Sequence, residues 1–368
     1  MPKVKEIYGY LNEIAPIGLA ESYDNPGLLA GDGEREVSRA LIALDITPEV
    51  CKEAAGQGAQ LLISHHPVIF KPVKSVLKDG ASAALWALVS AGLSAICMHT
   101  NLDVAPGGVN DTLAGVLGLE KTGVLLSENR KNYKKITVFV PEEYAKHVRE
   151  AMAGAGAGSL GDYDSCAFAC HGDGYFRPLE GAHPFIGSEG KLQRVPEMRI
   201  EAICPADAVG EVVSAMKRAH PYEEPAYDIF DDEAVSAEFG VGMTAKLDKP
   251  ADLDEFARFV GRRLGADGVS VCRAGGRAEN VAVCSGAWDD ELTLVAKEKG
   301  CDTMLTGELK HSAKLLALEL GLNVVAAGHF ATENVICPEL ARRLGERFPD
   351  VVFSLAHTSA PSYFVGAR

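Results

Sequence analysis

The stretch Leu61-Leu62-Ile63-Ser64-His65-His66-Pro67 decides the reading of this chain. Its apolar run fits a strand buried on both faces, and the run stops on two adjacent histidines and a proline. Successive strand residues point to opposite faces, so a strand alone cannot aim both rings one way. Just past the strand end, where Pro67 holds His66 extended, the two rings can converge on one point. Two other segments repeat the design. His99-Thr100-Asn101-Leu102-Asp103 follows the apolar residues 93–98, and Gly328-His329-Phe330-Ala331-Thr332-Glu333 follows 322–327. Each is a strand end with a histidine and, four residues on, a carboxylate.

The elements around these segments alternate. Residues 40–44 read as a short buried strand ending at Asp45. Thr47-Pro48-Glu49 opens a helix, with Thr as N-cap and Pro in the first position. The strand 59–63 leads to the paired histidines, a helix at 82–91 is closed by Gly92, and the strand 93–98 leads to His99. Residues 110–118 read as helical. The C-terminal part repeats this order: strand 280–285, a helix opened by Trp288-Asp289-Asp290, strand 302–306 ending in Gly307-Glu308, helix 311–320, strand 322–327. The fold class expected is therefore α/β, with two related βαβ-containing halves and mainly parallel sheets. Ligands of such sheets gather outside the strand carboxyl ends, where all these polar clusters fall.

Between the halves the rhythm changes to strand 136–140, helix 142–153, a glycine-rich stretch (Gly154 to Gly174), strand 197–203 and helix 206–219. His220-Pro221-Tyr222-Glu223-Glu224-Pro225-Ala226 then leads into strand 227–230. This order predicts an inserted α+β ferredoxin-like unit. The expected domains are 1–129, the insertion 130–240, and 241–368. The glycine-rich stretch lacks the Gly-Lys-Ser/Thr ending of a phosphate loop and reads as a flexible hairpin.

At 368 residues, 47% hydrophobic and 24% charged, the chain has a globular composition and the length of two or three domains. Its net charge of −15 argues against a nucleic-acid partner. Residues 1–18 read as an amphipathic helix rather than a signal peptide. No run reaches the roughly 18 apolar residues of a membrane span. Nine scattered cysteines, many inside apolar runs, look like free thiols in a reducing cytoplasm.

The candidate chemistry is metal binding. His65, His66, His99 and His329 offer imidazole nitrogen, and Asp103 and Glu333 offer carboxylate oxygen, with no cysteine among them. Such a set suits zinc, iron, manganese, cobalt or nickel. Five or six ligands exceed one tetrahedral ion and fit two divalent ions about 3.5–4 Å apart, bridged by carboxylate. Glu308, at the strand end matching His65-His66, is a candidate general base or orienting partner. His99 is a second catalytic candidate, and Asp45, Ser64, Thr100 and Asn101 are candidates for orienting ligands or touching substrate. Cys166-x-x-x-Cys170-His171 lacks a fourth ligand and reads as structural, as do His220 and Glu223 in their turn.

These residues resemble the Nif-three-like family, also called GTP cyclohydrolase I type 2 homologues. The resemblance rests on Tyr23-Asp24-Asn25-Pro26-Gly27-Leu28, Leu44-Asp45-Ile46-Thr47, Ser64-His65-His66-Pro67, His99-Thr100-Asn101-Leu102-Asp103, Thr306-Gly307-Glu308 and Gly328-His329-x-x-x-Glu333. Where Tyr23 stands the family more often has Trp. The insertion resembles the PII/CutA-like domain of longer members. The resemblance implies a two-metal site with ligands His65, His66, Asp103, His329 and Glu333, Glu333 and Asp103 being shared, and His99 as a further site histidine. It also implies a toroidal homohexamer with its sites on an inner cavity and the insertions capping the openings. The family name implies hydrolysis by activated water at a purine C8, and two divalent ions against two carboxylates suit an anionic substrate such as a nucleotide. The competing readings are a non-catalytic metal chaperone, store or regulator, and a scaffold whose metals hold subunits together.

Overall fold

The strand Leu61–Ser64 is the middle of a five-stranded sheet ordered Gly27–Ala30, Ser94–Cys97, Leu61–Ser64, Arg39–Ala43, Val352–Leu355. Only the first pair is antiparallel. Alternate residues supply opposite faces: Ile42, Leu61, Ile63 and Ile96 enter one core, and Leu41, Leu62 and Ala95 the other. Each buried Leu or Ile contributes about 1.5–3 kcal/mol, which explains why the strand is apolar at every position up to Ser64. The computed structural model describes residues 1–127, 133–160, 163–232, 240–358 and 361. They form two units, Met1–Glu128 with Glu238–Arg368, and Asn129–Ala237. The boundary expected at 129 lies outside the described residues.

The second sheet of the first unit is ordered Ser270–Cys272, Asn323–Ala326, Thr303–Glu308, Arg277–Ala287, Gly240–Asp252, Glu120–Ser127. Its second to fourth strands are parallel, and its other pairings are antiparallel. The expectation of mainly parallel sheets thus holds for the first sheet, while the second is mixed. The strand Gly240–Asp252 alternates apolar with polar or glycine residues over its first part, and Glu120–Ser127 is apolar only at residues 124–126, so neither carries a long continuous apolar run.

The two halves trade elements. Helices Pro48–Gly56 and Ala83–Ser90 cover the outer face of the first sheet, and Asp290–Glu298 and His311–Glu319 that of the second. On the inner faces the sources cross. Helix Val109–Leu117, from the N-terminal half, packs on the second sheet, and the strand Glu120–Ser127 joins that sheet. Helix Ile336–Arg347, from the C-terminal half, packs on the first, and Val352–Leu355 joins it. The short helices Thr100–Val104 and His329–Glu333 mark the two crossover points. Each begins at a strand end and carries a carboxylate.

The second unit runs Tyr133–Pro141, helix Ala145–Gly154, Ala167–Phe176, Gln193–Pro205, helix Val209–Ala219, Tyr227–Asp231. Its sheet is antiparallel, ordered Ala167–Phe176, Gln193–Pro205, Tyr133–Pro141, Tyr227–Asp231. Val148, Met152, Val212 and Met216 from the helices meet Ile136, Val138 and Ile200 from the sheet. The glycine-rich stretch is not all hairpin: Gly172 and Gly174 lie within the strand Ala167–Phe176, while Gly161 is outside the described residues.

Candidate metal centre

His65 and His66 extend the strand Leu61–Ser64 by one ladder step each, His65 N donating to the Ala43 carbonyl and His66 N to that of Leu44. The backbone bends at His65 and His66, and the two rings come to 5.1 Å, centroid to centroid. His99 lies 5.2 Å from His65, and His329 5.4 Å from His66. Four histidines from three strand ends therefore share one site.

Every ring is held from behind through Nδ1. That of His65 faces the Met98 carbonyl at 2.9 Å, His66 the Asp45 carboxylate at 2.7 Å, His99 the Asp24 carboxylate at 2.7 Å, and His329 the Glu308 carboxylate at 3.1 Å. All four partners are acceptors, so each Nδ1 carries its proton, and in the neutral ring Nε2 offers a lone pair. Metal-binding histidines are oriented in this way.

The Nε2 atoms face two carboxylates. His65 Nε2 is 3.6 Å from Asp103 Oδ1 and 3.9 Å from Glu333 Oε1. Glu333 Oε2 lies 3.0 Å from Nε2 of both His66 and His329. His65 Nε2, Asp103 Oδ1 and Glu333 Oε2 are all buried without an aligned hydrogen bond. Three such orphans in one spot are costly, at about 1–3 kcal/mol each, unless a cation joins them. The donor set and its orphaned atoms fit divalent metal. Among the described residues, the groups whose ligand atoms lie close enough to share an ion are His65, His66 and His99, and His66, His329 and Glu333. The expected ligand Asp103 is in neither group, although its Oδ1 lies 3.6 Å from His65 Nε2, and Cys166, Cys170, His171, His220 and Glu223 belong to neither.

The electrostatics are those of a charged cluster. Burial pushes His65 down to about 4, against the pull of Glu333. Burial also opposes charge on His66, but Asp45 and Glu333 overcome it and raise the ring to about 10. Glu333 raises His329 to about 9. Despite its own burial, Glu333 is held well below the usual carboxylate range by His329 and His66. Asp103 is pushed well above that range by burial and by the charge of Glu333. Burial pushes the nearby Cys97 and Cys284 thiols well up, which disfavours thiolate ligation.

The backbone makes room for this arrangement. A Cβ on Gly286 would lie 2.0 Å from Glu333 Oε1, and one on Gly307 2.8 Å from His329 Cα. Asn110 joins the crossovers, its Nδ2 donating to the Asp103 carbonyl and its Oδ1 accepting from Ser285 N.

The chain matches the family model described as Duf34/NIF3 (NGG1p interacting factor 3) over residues 2–361. It belongs to the Duf34/NIF3 family. A relative from Bacillus subtilis (strain 168), named "GTP cyclohydrolase 1 type 2 homolog", is 38% identical over 353 residues, 95% of this chain and 94% of that protein. A relative of the same name from Halalkalibacterium halodurans is 37% identical over 355 residues, 94% of each chain. The solved structure of a Bacillus cereus protein related to NIF3 aligns with a TM-score of 0.81 at 36% identity, over 99% of both chains.

Among the family motifs, sequence reasoning left Asp24 without a role. It holds His99 through Oδ1 and accepts from Thr100 N and Oγ1 through Oδ2. Its position in the motif Tyr23-Asp24-Asn25-Pro26-Gly27-Leu28 was a signal, but the partner 75 residues away was not. Nothing in the sequence pointed to the Met98 carbonyl or to Gly286. Of the orienting candidates, Asp45 holds His66, Ser64 Oγ donates to the His66 carbonyl, Thr100 holds Asp24, and Asn101 Nδ2 donates to the Ala15 carbonyl.

Proposed function

We propose that this centre holds two divalent ions and that the chain is a metal-dependent hydrolase of a small anionic substrate, with purine nucleotides as the first class to test. The observation that carries the reading is the set of four imidazoles, each tied back through Nδ1, facing two buried carboxylates with unsatisfied atoms. His65, His66, Asp103, His329 and Glu333 would hold the ions, with Glu333 as the shared ligand, since it faces His65 through one oxygen and His66 and His329 through the other. Nitrogen and oxygen donors fit zinc, iron, manganese, cobalt or nickel. When bound, the ions would supply water activation and neutralise substrate charge.

The protein's own residues supply the rest. His99, kept in one tautomer by Asp24, has no carboxylate paired at Nε2 among the described residues and is the group to carry a proton between water and leaving group. Glu308 positions His329. Phe70 stands edge-on to His99 at 6.1 Å and to Tyr23 at 6.4 Å, and both aromatic rings are substantially exposed. They supply a surface on which a planar base can stack. The names of the relatives support a nucleotide.

The inserted unit is read as a PII/CutA-like module, supported by its β-α-β-β-α-β order. A toroidal homohexamer is proposed on the family resemblance. A cytoplasmic location is supported by nine unpaired cysteines. Among the described residues, no helix is long and apolar enough to cross a membrane.

The test is turnover of a nucleotide panel by metal-reconstituted protein, beside a His65→Ala control. The hydrolase reading expects turnover of at least one purine nucleotide that the control lacks. Stoichiometric metal without turnover of any member would leave the non-catalytic reading.

A further inference from the structure

We propose that the inserted unit carries its own binding site, for a small organic cation: an ammonium group on an apolar or aromatic body. The site is a cavity of about 700 Å³ lined only by this unit's residues, within the range of ligand pockets. Phe139, Phe176, Phe185, Ile186 and Tyr222 form its apolar wall, and Glu197 stands in it. Tyr222 meets Phe176 edge-on at 5.6 Å, and Phe185 lies 6.5 Å from Tyr222.

Glu197 is the anchor. Its residue is 8% exposed, and its carboxylate accepts one hydrogen bond, from the Tyr222 hydroxyl at 2.8 Å. Among the described residues it has no ion-pair partner. Two of the charged side chains in the lining are engaged elsewhere, Asp173 with Arg194 and Arg199 with Glu201. Glu223 and Glu224 add negative charge to the lining, against Arg177. A buried acid with one neutral donor lacks a countercharge. An aromatic wall beside it is the surrounding that favours an organic cation over a hydrated metal ion.

The chain is shaped to keep this carboxylate in place. A Cβ on Gly174 would lie 2.2 Å from Glu197 Oε2, so any other residue there would push the carboxylate out of this position. That requirement accounts for a glycine inside a strand. The segment His220-Pro221-Tyr222-Glu223 is used almost residue by residue. His220 Nε2 donates to the Phe139 carbonyl at 2.9 Å and its Nδ1 accepts from Tyr222 N at 3.0 Å, which aims the phenol at Glu197. Glu223 accepts from His183 N at 3.0 Å and so ties down residues 177–192, which run without helix or strand along the cavity. Irregular segments beyond about 12–15 residues are more often functional than incidental.

The test is isothermal titration calorimetry on the full chain with benzyltrimethylammonium and phenethylamine, against benzyl alcohol and benzoate. At least one of the two cations is expected to bind saturably, with benzyl alcohol at least about ten-fold weaker and benzoate not binding. Glu197→Gln should weaken that cation at least about ten-fold. Phe185→Ala, which removes a ring 49% exposed and so leaves the fold intact, should also weaken it and serves if the glutamate variant fails to fold. Neither cation saturating at millimolar concentration, equal affinity for the alcohol, preference for benzoate, or indifference to Phe185→Ala or to a folded Glu197→Gln would each overturn the proposal.

Discussion

His66 is pulled by a carboxylate at each nitrogen, Asp45 at 2.7 Å and Glu333 at 3.0 Å. In metal-free protein both nitrogens therefore hold protons, and a metal at Nε2 must displace one. The folded ring is raised to about 10, and that of His329 to about 9, above an unfolded value of about 6.5. Their stabilisation is complete below about 6.5 and is lost as pH rises through about 9–10. The raised Asp103 acts in the same direction. His65 has the opposite sign, since its folded value of about 4 removes stability as pH falls below about 6.5. Thermal melts in chelator should thus fall between pH 6.5 and 10, and metal-loaded protein should show a flatter profile. Parallel curves with and without metal would contradict this. Behind the rings, Asp24→Asn and Asp45→Asn should each weaken metal affinity about 10–100-fold with little change in secondary structure, measured by competition with a chromophoric chelator.

At the scale of elements, the centre depends on two crossover helices of five residues each, Thr100–Val104 and His329–Glu333. Gly286, at φ +62°, leaves Glu333 Oε1 its place beside them. Gly286→Ala should therefore lower metal content more than an ordinary surface Gly→Ala change, read by elemental analysis beside a melt. Full metal content in that variant would show that the carboxylate can move aside. The apolar strands ending in polar clusters were legible because parallel strands buried on both faces are continuous apolar runs. The mixed edge of the second sheet was not: Gly240–Asp252 alternates over its first part, Glu120–Ser127 opens on polar residues, and their pairing joins residues more than 100 apart. Gly172 and Gly174 read as loop because a strand glycine reveals its reason only when Glu197 is packed against it. The site histidines were legible one by one, whereas their Nδ1 partners, apart from Glu308 and Asp45, depended on distant pairings.

At the scale of the molecule, the reciprocal exchange of helix and strand places Asp103 and Glu333 at the seam between the halves of the first unit. A cation there clamps the seam, so metal should stabilise the whole unit rather than one loop. Saturating metal at about 1,000 times Kd would contribute about 4 kcal/mol. Chelation should then lower Tm cooperatively, and an unchanged Tm would mean that the seam holds without the ions. The proposed hexamer of 39.0 kDa chains would have a mass of about six times that value, measurable by light scattering, and a monomer would remove the toroid from the account. The central claim is tested most directly by counting metal. Elemental analysis of the reconstituted chain should give two divalent ions per subunit, and Glu333→Ala, with its helical content retained, should lose both. Two ions kept by that variant would contradict the shared carboxylate and the centre built around it.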